Sequence, residues 1–136
     1  PYGGGDGMLL MVEPLWHAVE QAKENDPTAK VVIMTPRGMR WKQALAQEYS
    51  EQDYRYIFIC GRYEGYDERI MALVDQELSV GDYVLTGGEL PSMTIIVLCD
   101  LFRAYLAAKT ARQLKASVMA KRLSFRSTRA PKNGVA

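Results

Sequence analysis

The stretch Ile57-Phe-Ile-Cys-Gly-Arg-Tyr-Glu-Gly-Tyr-Asp-Glu-Arg69 changes from an apolar run to glycine, charged and aromatic residues. A β-branched and aromatic run that ends at a glycine is typical of a buried strand. Gly61 and Gly65 bracket Arg62, Tyr63 and Glu64 in a turn, where backbone without side chains lets a ligand approach closely. The stretch therefore predicts a buried strand followed by a ligand-binding loop.

Two further glycine-rich segments flank this stretch. One is Ser79-Val-Gly-Asp-Tyr-Val-Leu-Thr-Gly-Gly-Glu-Leu-Pro91, and the other opens the chain as Pro1-Tyr-Gly-Gly-Gly-Asp-Gly-Met8. The opening segment is neither a phosphate-binding loop with its Lys-Ser/Thr nor a dinucleotide fingerprint that follows a strand. This disfavours a Rossmann-type methyltransferase. Glycines placed after different strands indicate a site built from several loops at the carboxyl edge of a sheet.

Helical and strand patterns alternate between the loops. They comprise a helix at about residues 13–23, a buried strand at 31–34, a turn at 35–38, a helix at 41–49, a strand at 56–60, a helical segment at 68–74 and a strand at 78–80. Short strands that alternate with helices predict an α/β domain with a largely parallel sheet.

The three glycine-rich segments, in this order, closely resemble the bacterial tRNA (guanine-N1)-methyltransferases, members of the SPOUT (trefoil-knot) methyltransferases. The resemblance covers residues 1 to about 96. It implies a C-terminal trefoil knot, a rare exception to unthreaded chain connections. It also implies an S-adenosylmethionine-dependent enzyme that methylates a guanosine of tRNA at N1, next to the anticodon. The intact enzyme is expected to be a homodimer in the cytoplasm, and magnesium is expected to assist its catalysis.

In this family, three loops at the carboxyl ends of strands hold S-adenosylmethionine in a bent shape. An adenine ring needs an apolar slot with backbone donors and acceptors around its edge, and Ile33, Val80 and Leu85 are apolar residues suited to such a slot. The positions that the resemblance assigns to the cofactor are Ile33, Met34, Thr35, Pro36, Gly61, Tyr63, Gly65, Ser79, Val80, Gly81, Asp82, Tyr83, Val84, Leu85, Gly87, Gly88 and Pro91.

Glu64 and Arg62 are the candidate catalytic residues. A carboxylate at Glu64 can accept hydrogen bonds from a guanine edge or balance the sulfonium charge, and the alternative is a loop ion pair with Arg62. Methylation at N1 also requires a general base and accurate positioning. The family assigns the base to an aspartate and a key role to an arginine in the helix after the third knot loop. Neither has a secure counterpart here, although Asp100 and Arg103 have suitable chemistry.

We therefore expect little or no methyl transfer from this chain. The alternative function is a non-catalytic nucleotide- or RNA-binding module that retains the knot loops.

The charge balance inverts where the resemblance ends. Residues 1–96 contain 8 Lys and Arg against 15 Asp and Glu, whereas residues 97–136 contain 9 Lys and Arg and a single acid, Asp100. Such a change predicts a boundary between a partial SPOUT domain at 1–96 and a basic tail at 97–136. The tail is either a phosphate-binding arm or a solvated extension, and its low aromatic content favours the second interpretation.

A single-nucleotide frameshift accounts for the departure of the tail from the family. The segment Leu101-Phe-Arg-Ala-Tyr-Leu-Ala107 can be encoded as TTA TTC CGG GCG TAC TTG GCA. Read from its third base, the same DNA gives ATT CCG GGC GTA CTT GGC, which encodes Ile-Pro-Gly-Val-Leu-Gly, the family motif that this chain lacks. The hypothesis predicts that residues from about Val97 onward are poorly packed.

The remaining chemistry-bearing residues predict no further site. Two cysteines and one histidine lack metal-ligand or disulfide spacing, so Cys60 is expected to be a small buried hydrophobe and His17 a surface helical residue. No apolar run approaches the roughly 20 residues that a bilayer requires, and no signal peptide is recognisable. Because the chain opens on Pro1, we expect that a strand and a helix of the family lie upstream of it.

Overall fold

The computed structural model describes residues 7–62 and 65–128, with side chains described as far as residue 124. Helices and strands alternate along this part of the chain, which confirms the predicted α/β class. The elements are α1 (Val12–Asn25), β1 (Lys30–Arg40), α2 (Gln43–Glu51), β2 (Tyr56–Ile59), a 3₁₀ helix (Glu68–Leu73), β3 (Gln76–Ser79) and α3 (Glu89–Thr128).

Within the described residues, the three strands form a parallel sheet in the order β2-β1-β3. In the central strand, Val31 lies opposite Ile57 of β2, and Ile33 lies opposite Glu77 of β3. Because all strands run in the same direction, the loops that follow β2 and β3 leave the sheet at the same edge. The predicted parallel sheet is thus confirmed.

The central strand buries side chains on both faces of the sheet. Val31 and Ile33 pack with Val19 of α1 and Ile70 of the 3₁₀ helix. The alternate residues Val32 and Met34 pack on the opposite face, in the cluster that contains Tyr49 of α2 and Ile95 of α3. Coverage on both faces explains why this strand is apolar at consecutive positions, as is usual for parallel sheets.

β1 continues through residues 35–38, which the sequence predicted to be a turn. Met34 and Met39 both lie opposite Leu78 of β3, so the intervening residues bulge out of the ladder. Gly38 lies so close to β3 that an added Cβ would be 2.7 Å from the carbonyl carbons of Glu77 and Leu78. The turn prediction was therefore wrong about the element, and the bulge requires a residue without a side chain at this point.

α3 runs 40 residues, continuously through the predicted boundary at residue 96. Four side chains beyond that point are partly buried, namely Leu98, Cys99, Phe102 and Leu106, whereas every side chain from residue 107 to 124 is exposed. The expected loss of packing at Val97 therefore begins about ten residues later. The reason is helical periodicity, since these four residues share a face with the buried Ile95.

By length and composition, the segment Glu89–Ser124 of α3 is long and apolar enough to cross a membrane. From the sequence alone we expect no such span. Core helices of water-soluble proteins meet the same criterion of length and composition.

Candidate functional site

A cavity of about 550 Å³ lies at the carboxyl edge of the sheet, where the β1 bulge and the loops after β2 and β3 meet. Its size lies in the range of small-molecule sites. Backbone and side chains of these loops line it, together with one residue from the segment before α1: Leu9, Met34, Thr35, Pro36, Arg37, Gly61, Arg62, Gly65, Tyr66, Glu68, Leu78, Ser79, Val80, Gly81, Tyr83, Val84, Leu85, Gly87, Gly88 and Pro91.

Backbone hydrogen bonds join the loops around the cavity. The Gly88 N–H donates to the Gly61 carbonyl oxygen at 2.9 Å, and Arg62 forms an isolated antiparallel bridge with Gly87. On the other side, the Leu10 N–H donates to the Gly65 carbonyl oxygen at 3.0 Å. The cavity walls are therefore held together by the main chain.

Arg62 forms an ion pair with Glu89, the first residue of α3. Its Nε lies 2.7 Å from Glu89 Oε1. A hydrogen bond to its own backbone N–H lowers the pKa of the Glu89 carboxyl group, and the hydrogen bond from Arg62 lowers it further. Both side chains are substantially exposed, and Arg62 lines the cavity. Glu64, the other partner considered for Arg62, lies outside the described residues, as does Tyr63.

Among the predicted cofactor residues that the structure describes, most line this one cavity, and two do not. Ile33 is fully buried in the core between the sheet and α1, because its neighbour Met34 takes the face that leads to the cavity. Asp82 is exposed and does not line the cavity. Of the three residues expected to form an adenine slot, Val80 and Leu85 line the cavity and Ile33 does not, while Leu78 lines it in addition.

Asp67, Glu68 and Arg69 lie at the start of the 3₁₀ helix. Asp67 caps the 3₁₀ helix by accepting a hydrogen bond from the Arg69 N–H. The Arg69 guanidinium also donates to this carboxylate and holds the pKa of Asp67 at about 2.

Sequence reasoning missed Arg37 and Glu68 as cavity residues. Arg37 donates from Nη2 to Glu68 and from Nε to Glu77 of β3. No local signal marks Arg37, because its position depends on the bulge in β1. Tyr66 also lines the cavity, and it lies in the stretch that predicted a ligand loop.

Asp100 and Arg103 do not line the cavity. Arg103 instead donates to the carbonyl oxygen of Gln52 at 3.2 Å, at the end of α2. Cys60 is partly buried and lies 3.3 Å from the Ser92 hydroxyl, and His17 is an exposed helical residue near Glu20. Among the residues that the structure describes, no group of three or more His, Cys, Asp and Glu side chains is arranged to hold a metal ion.

The cavity combines an apolar wall with a charged rim. Val80, Leu85 and Pro91 are among the apolar side chains, whereas Arg37, Arg62 and Glu68 are charged. Gly88 provides a close approach between loops, since an added Cβ would lie 2.7 Å from Cys60 Cα. A small molecule with an apolar part and a charged part matches this distribution in size and polarity.

The fold and the cavity define an α/β protein whose ligand site is built from loops at the carboxyl edge of a parallel sheet. The chain belongs to the tRNA (Guanine-1)-methyltransferase TrmD family, whose model matches residues 1–124.

Individual relatives match a shorter part of the chain. It is 54% identical over 96 residues to the tRNA (guanine-N(1)-)-methyltransferase of Myxococcus xanthus, covering 71% of this chain and 39% of that protein. It is 50% identical over 99 residues to the enzyme of that name from Listeria monocytogenes, covering 71% and 40%. The crystal structure of tRNA (m1G37) methyltransferase from Aquifex aeolicus matches with a TM-score of 0.62 and 41% identity, over 73% of this chain and 45% of that one. The chain thus spans less than half the length of these relatives.

Proposed function

We propose that this chain carries the S-adenosylmethionine site of a tRNA guanine-N1 methyltransferase, which methylates a guanosine next to the anticodon. Membership of the family supports the reaction. The observation that carries the proposal is the cavity at which the β1 bulge and the loops after β2 and β3 converge. In this proposal the loops form the trefoil knot of the SPOUT fold.

The residues of this chain have distinct tasks in the proposed site. Val80 and Leu85 contact the adenine ring, while the bonded backbone of Gly61 and Gly88 keeps the slot at a constant width. The cofactor supplies the electrophilic methyl group. Arg62 lies at the cavity with its guanidinium exposed, where a positive charge stabilises the anion that guanine becomes on losing its N1 proton. Glu64 is proposed to accept hydrogen bonds from the guanine edge.

The general base of this reaction has no counterpart in the described cavity. Glu68 is the acidic side chain that lines it, and Arg37 already holds that carboxylate. Asp100 lies on α3 away from the cavity. We therefore propose that the chain binds cofactor and transfers little or no methyl group by itself.

Isothermal titration with S-adenosylmethionine and a methyl-transfer assay on unmodified tRNA test the proposal together. Binding accompanied by N1 methylation identifies a working enzyme and contradicts the expected low turnover. Binding without transfer agrees with the missing base and equally with the alternative, a non-catalytic nucleotide- or RNA-binding module. Failure to bind S-adenosylmethionine refutes the proposed site.

A homodimer in the cytoplasm is proposed for the intact enzyme, with tRNA as its partner. An exposed apolar face of α3 supports association, since Leu90, Met93, Val97 and Leu101 recur at helical spacing and are all more than half exposed. Analytical ultracentrifugation of wild type and Leu101→Glu tests this, because a charge on the face weakens a dimer that buries it. Magnesium stays a proposal for the intact enzyme, and the described residues offer no cluster to hold it.

A further inference from the structure

Arg37 reaches the cavity because β1 bulges between Met34 and Met39. The close contact of Gly38 with the backbone of β3 holds this bulge against the neighbouring strand. Residues 34–37 consequently line the cavity in succession. A regular strand would direct alternate side chains to opposite faces of the sheet, so the bulge is the reason why Arg37 reaches the cavity together with its neighbours.

The Arg37 guanidinium joins two other elements. Its Nη2 lies 2.9 Å from Glu68 Oε1 at the start of the 3₁₀ helix, and its Nε lies 3.2 Å from Glu77 Oε2 of β3. Both carboxylates raise the pKa of Arg37. These bonds use Nη2 and Nε, so the Nη1 group is left over for a further anion.

Arg37 and Glu68 are 54% and 68% exposed, and both line the cavity, whereas Glu77 does not. Exposed ion pairs contribute little to folding stability. Stabilisation of the fold therefore does not explain why three charged groups lie together here. The cavity therefore presents a cation and an anion side by side, at a distance from which one small ligand can reach both. The chemical complement of such a pair is the zwitterion of an α-amino acid.

We propose that Arg37 and Glu68 bind the amino-acid end of S-adenosylmethionine. The Arg37 guanidinium donates to the ligand α-carboxylate, and the Glu68 carboxylate accepts from the ligand ammonium group. The inference rests on the proposed function, since it divides the cavity into an adenosine part at Val80 and Leu85 and an amino-acid part at the bulge. Glu77 does not line the cavity and makes no contact with the ligand.

Two ligands separate these parts. S-adenosylhomocysteine contains the zwitterion, whereas 5′-methylthioadenosine lacks it and keeps the adenosine. We expect Arg37→Met and Glu68→Gln in the full chain to weaken S-adenosylhomocysteine binding about tenfold or more, as the loss of charge-assisted hydrogen bonds implies. Binding of 5′-methylthioadenosine should change by less than about twofold, because its neutral substituent makes no such bond.

Two variants serve as matched controls. Arg69→Met removes an exposed arginine that pairs with Asp67 and does not line the cavity. Glu77→Gln removes the charge of a carboxylate outside the cavity and keeps an oxygen that can accept from Arg37 Nε. Both should bind the two ligands as wild type does, and thermal unfolding of all variants measures their folding.

Equal weakening of both ligands by Arg37→Met, or no weakening of either, overturns the inference and leaves the proposed function standing. The same conclusion follows if Glu77→Gln is as selective as Glu68→Gln, because the cluster then acts through the fold. A wild-type chain that binds neither ligand overturns the proposed function, and the inference with it.

Discussion

Gly88 donates its backbone N–H to the carbonyl oxygen of Gly61 at 2.9 Å, which joins the loop before α3 to the loop after β2. The two glycines have different surroundings. An added Cβ on Gly88 would lie 2.7 Å from Cys60 Cα and 3.0 Å from the Gly61 nitrogen, whereas one on Gly61 would first meet the Tyr66 ring at 3.6 Å. The backbone therefore excludes a side chain at Gly88 and leaves ordinary contact distance at Gly61.

Gly88→Ala should weaken both folding and ligand binding. The new methyl group must push backbone apart, and overpacking of this kind costs about 1–3 kcal/mol. Gly61→Ala serves as the control and should keep the free energy of unfolding within about 1 kcal/mol, since its methyl group has room. Urea unfolding and titration with S-adenosylhomocysteine measure the two effects. Equal stability of both variants would contradict the close approach at Gly88.

Ile33 and Leu85 should respond in opposite ways to truncation. Ile33 is fully buried in the core, so Ile33→Ala should lower the free energy of unfolding by about 2–5 kcal/mol. Leu85 is 41% exposed and lines the cavity, so Leu85→Ala should change stability by about 0.5 kcal/mol or less while weakening cofactor binding. A stable Ile33→Ala variant with impaired cofactor binding would show that Ile33 belongs to the ligand site.

The Asp67 carboxylate should make stability depend on pH in acid. The Arg69 guanidinium lowers its pKa from 3.8 to about 2 in the folded state. A lowered pKa stabilises the fold above the unfolded value of 3.8, and this contribution is lost as the pH falls towards about 2. Asp67→Asn retains a helix-capping side chain but lacks the charge. The stability difference between wild type and this variant should therefore shrink from pH 5 to pH 2, as followed by urea unfolding, and a constant difference would contradict the ion pair.

The outer part of α3 should contribute almost nothing to folding. Side chains from 107 to 124 are exposed, and a helix without tertiary packing is marginal in water. Removal of residues 108–136 should change the free energy of unfolding by about 0.5 kcal/mol or less. Phe102→Ala is the matched comparison, since Phe102 is partly buried, and it should be the more damaging change. Amide hydrogen exchange should be fast beyond residue 107. Slow exchange there would contradict the prediction, because it would show that the outer part of α3 is packed.

The coding sequence tests the origin of the tail. If a frameshift produced it, the DNA for residues 101–107 should encode Ile-Pro-Gly-Val-Leu-Gly when read from the third base. Sequencing of the gene checks this directly. A gene whose shifted frame does not encode this motif would refute the frameshift hypothesis. The tail residues, including the partly buried Leu98 and Phe102, would then have a different origin.

The sequence by itself determined the class of fold and the loops of the site. Consecutive apolar residues such as Val31 to Met34 predict a strand buried on both faces, and parallel strands bring the glycines after β2 and β3 to the same edge. These are local patterns whose meaning does not depend on distant contacts. The resemblance to a family rested on the same glycine loops.

Only the tertiary structure decided which residues of this edge meet the cavity. Ile33 and Met34 are adjacent and equally apolar, and the packing of α1 on one face of the sheet sends Ile33 to the core. Arg37 lines the cavity because β3 approaches Gly38 and forces residues 35–38 out of the ladder. Such contacts join residues about 40 positions apart along the chain, so no local pattern specifies them, and they form only when the strands pack.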